Sequence, residues 1–466
     1  MTADVSAPPA PAEGYGESTK RERVGWYFYD WANSAFSTTL VAVFLGPYLT
    51  AVAKTASGCV DPNTADNIDP CISAPVHLFG MTLKAGSVYP AVVTISVVLN
   101  VLLLPVVGAI ADRSAHKRRM LAIFAYVGAT ATTCMFFVTG GAILLGALLT
   151  IVATMAFAAS IVVYNSFLPQ LCPEEDRDKV SSRGWAFGYL GGGLLLLLNL
   201  VALTLLEAKY GTSIVVRASM ASAGIWWGVF TLLPLRRLRD RPPLEGVAHG
   251  NVLTGGFKQL GHTIKGLKAY PLTLFFLGAY LIYNDGIQTV INLSSTYADQ
   301  ELKLGQSVLV ITVLLVQFLA FGGALGLGFL AGRIGAWKTV LISLVLWTGV
   351  IIGAFSLPTG EAVPFMILGA CIGLVLGGSQ ALSRSLFSLL IPKGKEAEYF
   401  GFFEISDKGT SWLGPLAFAL VFELTNSYRV GLVSLLIFFV IGFFLLLAVP
   451  MRRAIVAAGN TPPTRL

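Results

Sequence analysis

Twelve apolar stretches, each long enough to cross a lipid bilayer, constrain this chain more than any other feature. They fall at 25–50, 85–111, 119–139, 142–168, 184–206, 213–235, 271–297, 305–331, 336–357, 363–391, 399–424 and 429–451. A spanning helix needs about 20 such residues. The run 119–168 is continuous and divides at Gly140-Gly141, because one helix of that length would cross twice. Of the 466 residues, 55% are hydrophobic and 12% charged, and the mean hydropathy is +0.73. A soluble domain carries about twice that charge. The net charge of +7 would suggest a nucleic-acid partner in a soluble protein. Here the basic residues gather at the ends of apolar stretches, which points to membrane orientation and to no nucleic-acid partner.

Placing the N-terminus inside puts about 24 Lys and Arg in inside segments and about 6 in outside loops, the bias of the positive-inside rule. The inside clusters are Arg113/Lys117/Arg118/Arg119, Arg177/Lys179/Arg183, Arg236/Arg237/Arg239/Arg241 and Arg452/Arg453. Both termini are therefore expected in the cytoplasm, with the chain multi-pass in a bacterial inner membrane. Residues 1–23 contain no apolar core before a small-residue cleavage site, so no removable signal peptide is expected.

The longest inside loop divides the spans six and six. The expected organisation is a cytoplasmic tail (1–24), a first half (25–235), a cytoplasmic linker (236–270), a second half (271–453) and a second tail (454–466). Within the linker, Leu253, Phe257, Leu260, Ile264 and Leu267 recur at helical spacing, with Lys258, His262, Lys265 and Lys268 mainly opposite. That pattern predicts an amphipathic helix lying on the membrane surface. The outside loop 51–84 is polar and holds Cys59 and Cys71, which are expected to bridge, since the extracytoplasmic space permits disulfides. Cys134, Cys172 and Cys371 are expected free, and no cysteine or histidine has metal-site spacing.

The second half echoes the first. Gly108, Asp112 and Arg113 follow span two, and Gly328, Gly332 and Arg333 follow span eight at an offset of 220. Asn165 and Cys172-Pro173 match Arg384 and Ile391-Pro392 at an offset of 219. Asp30, Asn33 and Ser37 of span one match Asp285, Gln288 and Asn292 of span seven, each set on one helix face, at an offset of 255. The implied fold is an all-α membrane protein of twelve transmembrane helices, two six-helix halves related by a pseudo-twofold axis, the major facilitator architecture.

Charged groups inside a bilayer cost about 2.5–3.5 kcal/mol each on insertion scales, so they face a cavity or a partner. In that architecture spans one, four, seven and ten line the central cavity. Asp30, Asn33, Asn165, Asp285, Gln288, Asn292, Gln380 and Arg384, with Tyr29 and Asn284, are the candidates for holding a solute or a coupling proton. A carboxylate there binds a cationic group or carries a proton, and Arg384 suits a carboxylate. Simpler roles also fit: Asp30 as a partner of nearby basic residues or a helix cap, Arg384 as part of an inside gate. Glu404, Asp407 and Lys408 form a charged set on span eleven, where Glu404 and Lys408 are spaced for an intrahelical pair. Asp112 and Arg113, with the basic run through Arg118, are expected to hold an inside gate shut. Gly184, Gly188 and Gly192 on span five, and Gly322, Gly326, Gly328 and Gly332 around span eight, predict faces on which rocking halves slide. No Walker A or HExxH sequence occurs, so neither an ATP-driven pump nor an enzyme is expected, and no cofactor.

Several segments carry a resemblance to a known family. The run GAIADRSAHKRR at 108–119 resembles the signature between spans two and three of the major facilitator superfamily. YDWANSAF at 29–36, YNSFLP at 164–169, GWAFGYLGG at 184–192, YNDGIQTV at 283–290 and GGSQALSRSLFSLLIP at 377–392 resemble the bacterial branch of the autophagy-related vacuolar effluxer family. The resemblance covers nearly all spans. It implies a twelve-span exporter of small solutes, with amino acids the activity associated with the fungal vacuolar members, and a gate role for Gly108, Asp112, Arg113 and Arg118. The chain departs from the superfamily where Gly332 stands in place of an acidic residue, and where span four lacks an arginine. The expectation is a monomeric secondary transporter of a small polar solute, bathed in membrane lipid, with protons as the coupling ion. The alternative is a non-transporting membrane sensor or assembly subunit on the same fold.

Overall fold

The computed structural model describes residues 18–59, 70–243, 269–408, 413–425 and 427–466. Span one is Lys20–Ala56, with a π-helical stretch at Phe36–Leu45; span two is Val88–Arg113, three Lys117–Cys134, four Ile143–Asn165, five Arg177–Tyr210 and six Thr212–Arg237. Span seven is Pro271–Gln300, eight Gln306–Ile334, nine Ala336–Phe355, ten Ala362–Leu389 and twelve Tyr428–Ala448. Among the described residues, eleven helices are thus long and apolar enough to cross a membrane. Span eleven is described over two helical pieces, Glu396–Lys408 and Leu413–Thr425. The linker helix expected at 253–267 lies outside the described residues.

Polar chemistry extends several helices beyond their apolar stretches. Thr19 caps span one: its hydroxyl accepts from the Glu22 amide (3.2 Å), and the Glu22 carboxylate accepts from the Thr19 amide (2.9 Å). Span one therefore begins five residues before its apolar run. Arg23 lies 3.8 Å from Asp176, and the Thr464 amide donates to Glu175 (2.7 Å). Both ends of the described chain thus meet on one side of the bundle, called here the tail face. On the opposite face, Cys59 and Cys71 are joined, with Cα atoms 5.6 Å apart. A hairpin follows them, β1 (Pro75–Leu78) and β2 (Met81–Lys84), turning through Phe79 and Gly80 at φ 50 and 75. Positive φ at both turn positions matches the twist of paired strands, and Gly80 adopts it without a Cβ clash.

Each half has its own core. One runs from Trp26 to Leu238, and also takes in Ala397 of span eleven; the other runs from Phe276 to Leu466. Stacked rings fill both, Trp26 on Tyr164 at 4.5 Å and Trp347 on Phe439 at 5.6 Å. Outward, Leu102 is 66% and Leu205 72% exposed, a surface that only a lipid solvent covers.

The glycines divide by role. A Cβ on Gly184, Gly188 or Gly192 would meet Asp30, Ser34 or Thr38, all on span one. That stripe therefore packs span five onto span one within the first half, and is not a sliding surface between halves. Gly322, Gly326 and Gly332 have open space where a Cβ would stand. Only Gly328 of that set faces the other half, where a Cβ would lie 2.5 Å from Ser182. Spans eight and ten touch reciprocally in the second half: a Cβ on Gly377 would lie 2.1 Å from the Ala320 carbonyl oxygen, and one on Gly323 2.1 Å from that of Leu374.

Two outcomes follow from this packing. Gly377→Val should destabilise the purified protein by about 2 kcal/mol, the ordinary scale of core overpacking, while Gly322→Ala leaves its thermal melt unchanged. Maleimide labelling of the denatured protein should add three labels without reductant and five with it, because Cys134, Cys172 and Cys371 are free.

Candidate functional site between the two halves

Span ten carries Arg384 across the boundary between the halves, where it is 3% exposed. Its five N–H groups all find acceptors on the first half. Nε donates to the Ser181 hydroxyl (2.9 Å) and Nη2 to the Ser181 carbonyl (3.0 Å). Nη1 and Nη2 reach the same Asp30 carboxylate oxygen at 3.3 and 3.4 Å, and Nη1 also reaches Asn165 (3.3 Å). Three aromatic rings frame the guanidinium, with their centroids at 4.8 Å for Trp26, 5.4 Å for Trp185 and 5.7 Å for Tyr164. A planar cation over ring faces, with its edge fully hydrogen-bonded, is arginine chemistry that lysine does not reproduce.

The first half organises around this cation. Tyr164 donates its hydroxyl to Asp30 (2.7 Å), and its ring lies between Trp26 and Tyr29. The amide of Asn165 turns the other way and donates to Glu404 of span eleven (3.1 Å). Asn165 therefore holds Arg384 with one end and Glu404 with the other, both from the second half. The side chain of Lys408, the partner expected for Glu404 within its own helix, lies outside the described residues.

Asp285 does not join this network. It is 1% exposed and accepts from the Gly414 amide (2.5 Å) at the start of the second piece of span eleven; its other oxygen has no hydrogen-bond partner among the described residues. Asp407 accepts from Tyr280 (2.8 Å) and Asn284 (2.9 Å), a second contact of span seven with span eleven. The offset that pairs Asp30 with Asp285 is real in sequence, but Asp285 meets the Gly414 amide of span eleven and not the Arg384 network. Gln288 is half-buried on span seven, Gln380 is buried one turn before Arg384, and Asn33 is buried next to Asp30. Asn292 faces elsewhere. With Val41, Tyr89, Ser295 and Gln317 it lines a cavity of about 430 Å³ on the side of the bundle away from the tail face. Residues of both halves form that cavity.

Toward the tail face the halves are in direct contact. A Cβ on Gly108 would lie 2.5 Å from the Ala397 carbonyl oxygen, so span two and span eleven touch backbone to backbone. Asp112 then caps span eleven, one oxygen accepting from the Ala397 amide and the other from Glu398, both at 2.9 Å. The cation beside it is Lys117 (3.0 Å). Arg118, expected in the gate, is directed into its own half: its amide donates to Asp240 (2.7 Å) and its guanidinium to the Leu235 carbonyl (3.3 Å). Helical rotation explains the exchange, because one residue along span three turns the side chain by about 100°. Arg113 remains half-buried at the end of span two. Arg177 donates to the Ser388 carbonyl (2.7 Å), Ser181 to that of Ala381 (2.7 Å), and Ser385 to Asp178.

The C-terminal segment adds a contact that the sequence did not announce. Asn460 donates to the Leu389 and Ile391 carbonyls (2.9 and 2.8 Å) and Arg465 to those of Gly332 and Arg333 (3.0 and 3.2 Å), all in the second half. Thr464 binds Glu175 of the first half through its amide and its hydroxyl (2.7 and 3.1 Å). Tyr164, Trp26, Ser181 and Lys117 were likewise missed. YNSFLP and the basic run contained the Tyr and Lys, but nothing in their spacing marked them as cross-half partners.

Known proteins place this arrangement. Residues 18–459 match the family described as vacuole effluxer Atg22 like. An uncharacterised MFS-type transporter of Bacillus subtilis, YxiO, is 31% identical over 93% of this chain and 95% of its own. Autophagy-related protein 22 of Yarrowia lipolytica is 24% identical over 94% of this chain and 97% of its own. The solved structure of a bacterial homologue of the iron transporter ferroportin, in an outward-facing state, superposes with a TM-score of 0.62 at 14% identity, covering 92% of this chain and 98% of that one. The proton:xylose symporter XylE does so with a TM-score of 0.62 at 13% identity, covering 92% and 94%. The chain is a multi-pass membrane protein with the major facilitator fold, and it belongs to the Atg22-like vacuole effluxer family.

Proposed function

We propose that this protein is a secondary transporter that exports a small polar solute, with amino acids the first class to test, by alternating access across a bacterial cytoplasmic membrane. The observation that carries the reading is the buried Arg384–Asp30 pair at 3.3 Å, which ties the two halves together on one side while a cavity stands between them on the other. A fold with one closed face and an opposite cavity is one end state of a rocking cycle. The basic clusters lie at the tail face and the disulfide at the other, which supports a cytoplasmic tail face.

In this reading Arg384 is a lock before it is a solute ligand. All its donors are taken, so an incoming carboxylate competes for it only as the halves part. Asp30 is then exposed at the same moment and is the proposed site of the coupling proton. Asp285 is the second carboxylate candidate and acts within the second half.

Flux in proteoliposomes tests the function. A labelled amino acid should move along an imposed pH gradient, and absence of flux across a broad panel, with folded protein, removes the amino-acid version. Asp30→Asn should abolish pH-driven flux while retaining counterflow exchange. If Asp285→Asn retains both transport and its pH dependence, the proton site is not there.

The gate has its own readout. In a protein carrying Ser388→Cys as a reporter, Asp112→Ala should raise modification by a membrane-impermeant maleimide about tenfold or more, because each hydrogen bond to a charged group is worth about 1.5–3 kcal/mol. Solute binding should survive. An unchanged modification rate removes the gate role of Asp112.

A further inference from the structure

A second cavity, of about 990 Å³, opens at the tail face beside spans eight, nine and twelve and shares no lining residue with the Arg384 network. Five cationic side chains line it: Arg333, Lys338, Arg452, Arg453 and Arg465. No acidic side chain does; the main-chain carboxyl of Leu466, packed against Gly335, is the one anionic group among the lining residues. The rest of the wall is mostly apolar, chiefly Leu341, Ile342 and Leu447, with Trp337 between.

The two kinds of lining are segregated along the membrane normal. Lys338 stands in the first turn of span nine, and Leu341 and Ile342 follow one turn deeper. Leu447 lies in the last turn of span twelve, and Arg452 and Arg453 come after it in the short helix Met451–Ala457. Charge therefore sits at the tail-face end and apolar surface runs inward from it. Ile342 is 40% and Leu447 45% exposed, so the apolar wall opens sideways to the lipid. Trp337 bridges spans nine and twelve, its indole donating to the Leu446 carbonyl (3.0 Å), and forms the back of the site.

None of the five cations pairs with a carboxylate among the described residues. Arg452 donates to the Thr464 carbonyl (3.3 Å), Arg465 donates to the backbone of Gly332 and Arg333, and Arg333 lies over the Phe329 ring (4.3 Å). Elsewhere at the tail face Arg23, Lys117, Arg118, Arg177 and Arg241 each meet an acidic partner. Five gathered cations with no side-chain counter-ion form a strong anion site, and a neighbouring apolar slot selects an anion that carries hydrocarbon.

We propose that this cavity binds an anionic phospholipid of the leaflet on the tail side, its phosphodiester among the five cations and an acyl chain along Leu341, Ile342 and Leu447. A free phosphate meets the charges but leaves the apolar wall bare. A zwitterionic lipid brings its own cation into an already cationic site.

Native mass spectrometry of the full chain in detergent tests this directly, with phosphatidylglycerol and phosphatidylcholine of identical acyl chains as probes. Phosphatidylglycerol should be retained about fivefold or more over phosphatidylcholine, since each basic residue near an anionic headgroup contributes about 1 kcal/mol. The Lys338→Gln/Arg453→Gln double variant should lose that preference, and Lys209→Gln, in the last turn of span five at the far end of the bundle, should keep it. Both double-variant positions are exposed, so its thermal melt should match the parent, and Lys338→Gln alone repeats the test with a smaller loss. Equal retention of the two lipids overturns the proposal. So does an undiminished preference in the double variant. Displacement of phosphatidylglycerol by millimolar inorganic phosphate overturns the lipid assignment in favour of a free-anion site.

Discussion

A guanidinium buried between two bundles needs its charge and all its donors satisfied, or the burial costs several kcal/mol. At Arg384 the satisfaction comes wholly from the other half of the molecule: Asp30 from span one, Asn165 from span four, Ser181 from span five. Much of the surrounding architecture serves that requirement. Trp26 and Tyr164 wall off water, the Tyr164 hydroxyl holds Asp30, and the Gly184 position lets span five come close enough to share the cation, since a Cβ there would lie 2.7 Å from Asp30 and 3.1 Å from Arg384. The contact of Asp112 with span eleven repeats the logic at lower stakes, using backbone amides instead of a buried cation.

The halves share a scaffold but not a chemistry. Asp112 of the first half has Gly332 as its counterpart, so the second half cannot close its tail-face loop with a carboxylate. The C-terminal segment takes that place: Arg465 binds the Gly332 carbonyl, and Thr464 reaches Glu175 across the boundary. Asn165 and Arg384, equivalent by the internal offset, meet each other directly at 3.3 Å. A symmetric pair of positions has thus become a donor and an acceptor of one bond.

The scaffold was legible because its cause is coarse. Twelve apolar stretches, a charge bias and a repeat with constant offset each follow from lipid as solvent, and they need no detail of packing. Asp30, Asn165 and Arg384 were legible as candidates because polar groups in such stretches are costly enough to need a reason. Which of them meet was not. Asp285 shares the spacing of Asp30, yet span eleven offers it the Gly414 amide. Arg118 and Lys117 are adjacent in a basic run, and only the helical phase of span three decides that Lys117 faces Asp112. The glycine stripe of span five reads as a close-packing face, but the identity of its partner, span one, is a tertiary fact.

The saturation of Arg384 also bears on timing. Its hydrogen bonds radiate from one rigid plane to three separate helices, so the plane cannot leave Asp30 while keeping Asn165 and Ser181. The bonds break together or not at all. Leaving the closed face then requires that concerted step together with release of the contacts of Asp112, Arg177 and Thr464 across the same boundary. In the proposed transport cycle, access of a competing anion or a proton to that buried ion pair would then bear on the rate alongside how tightly the solute is held.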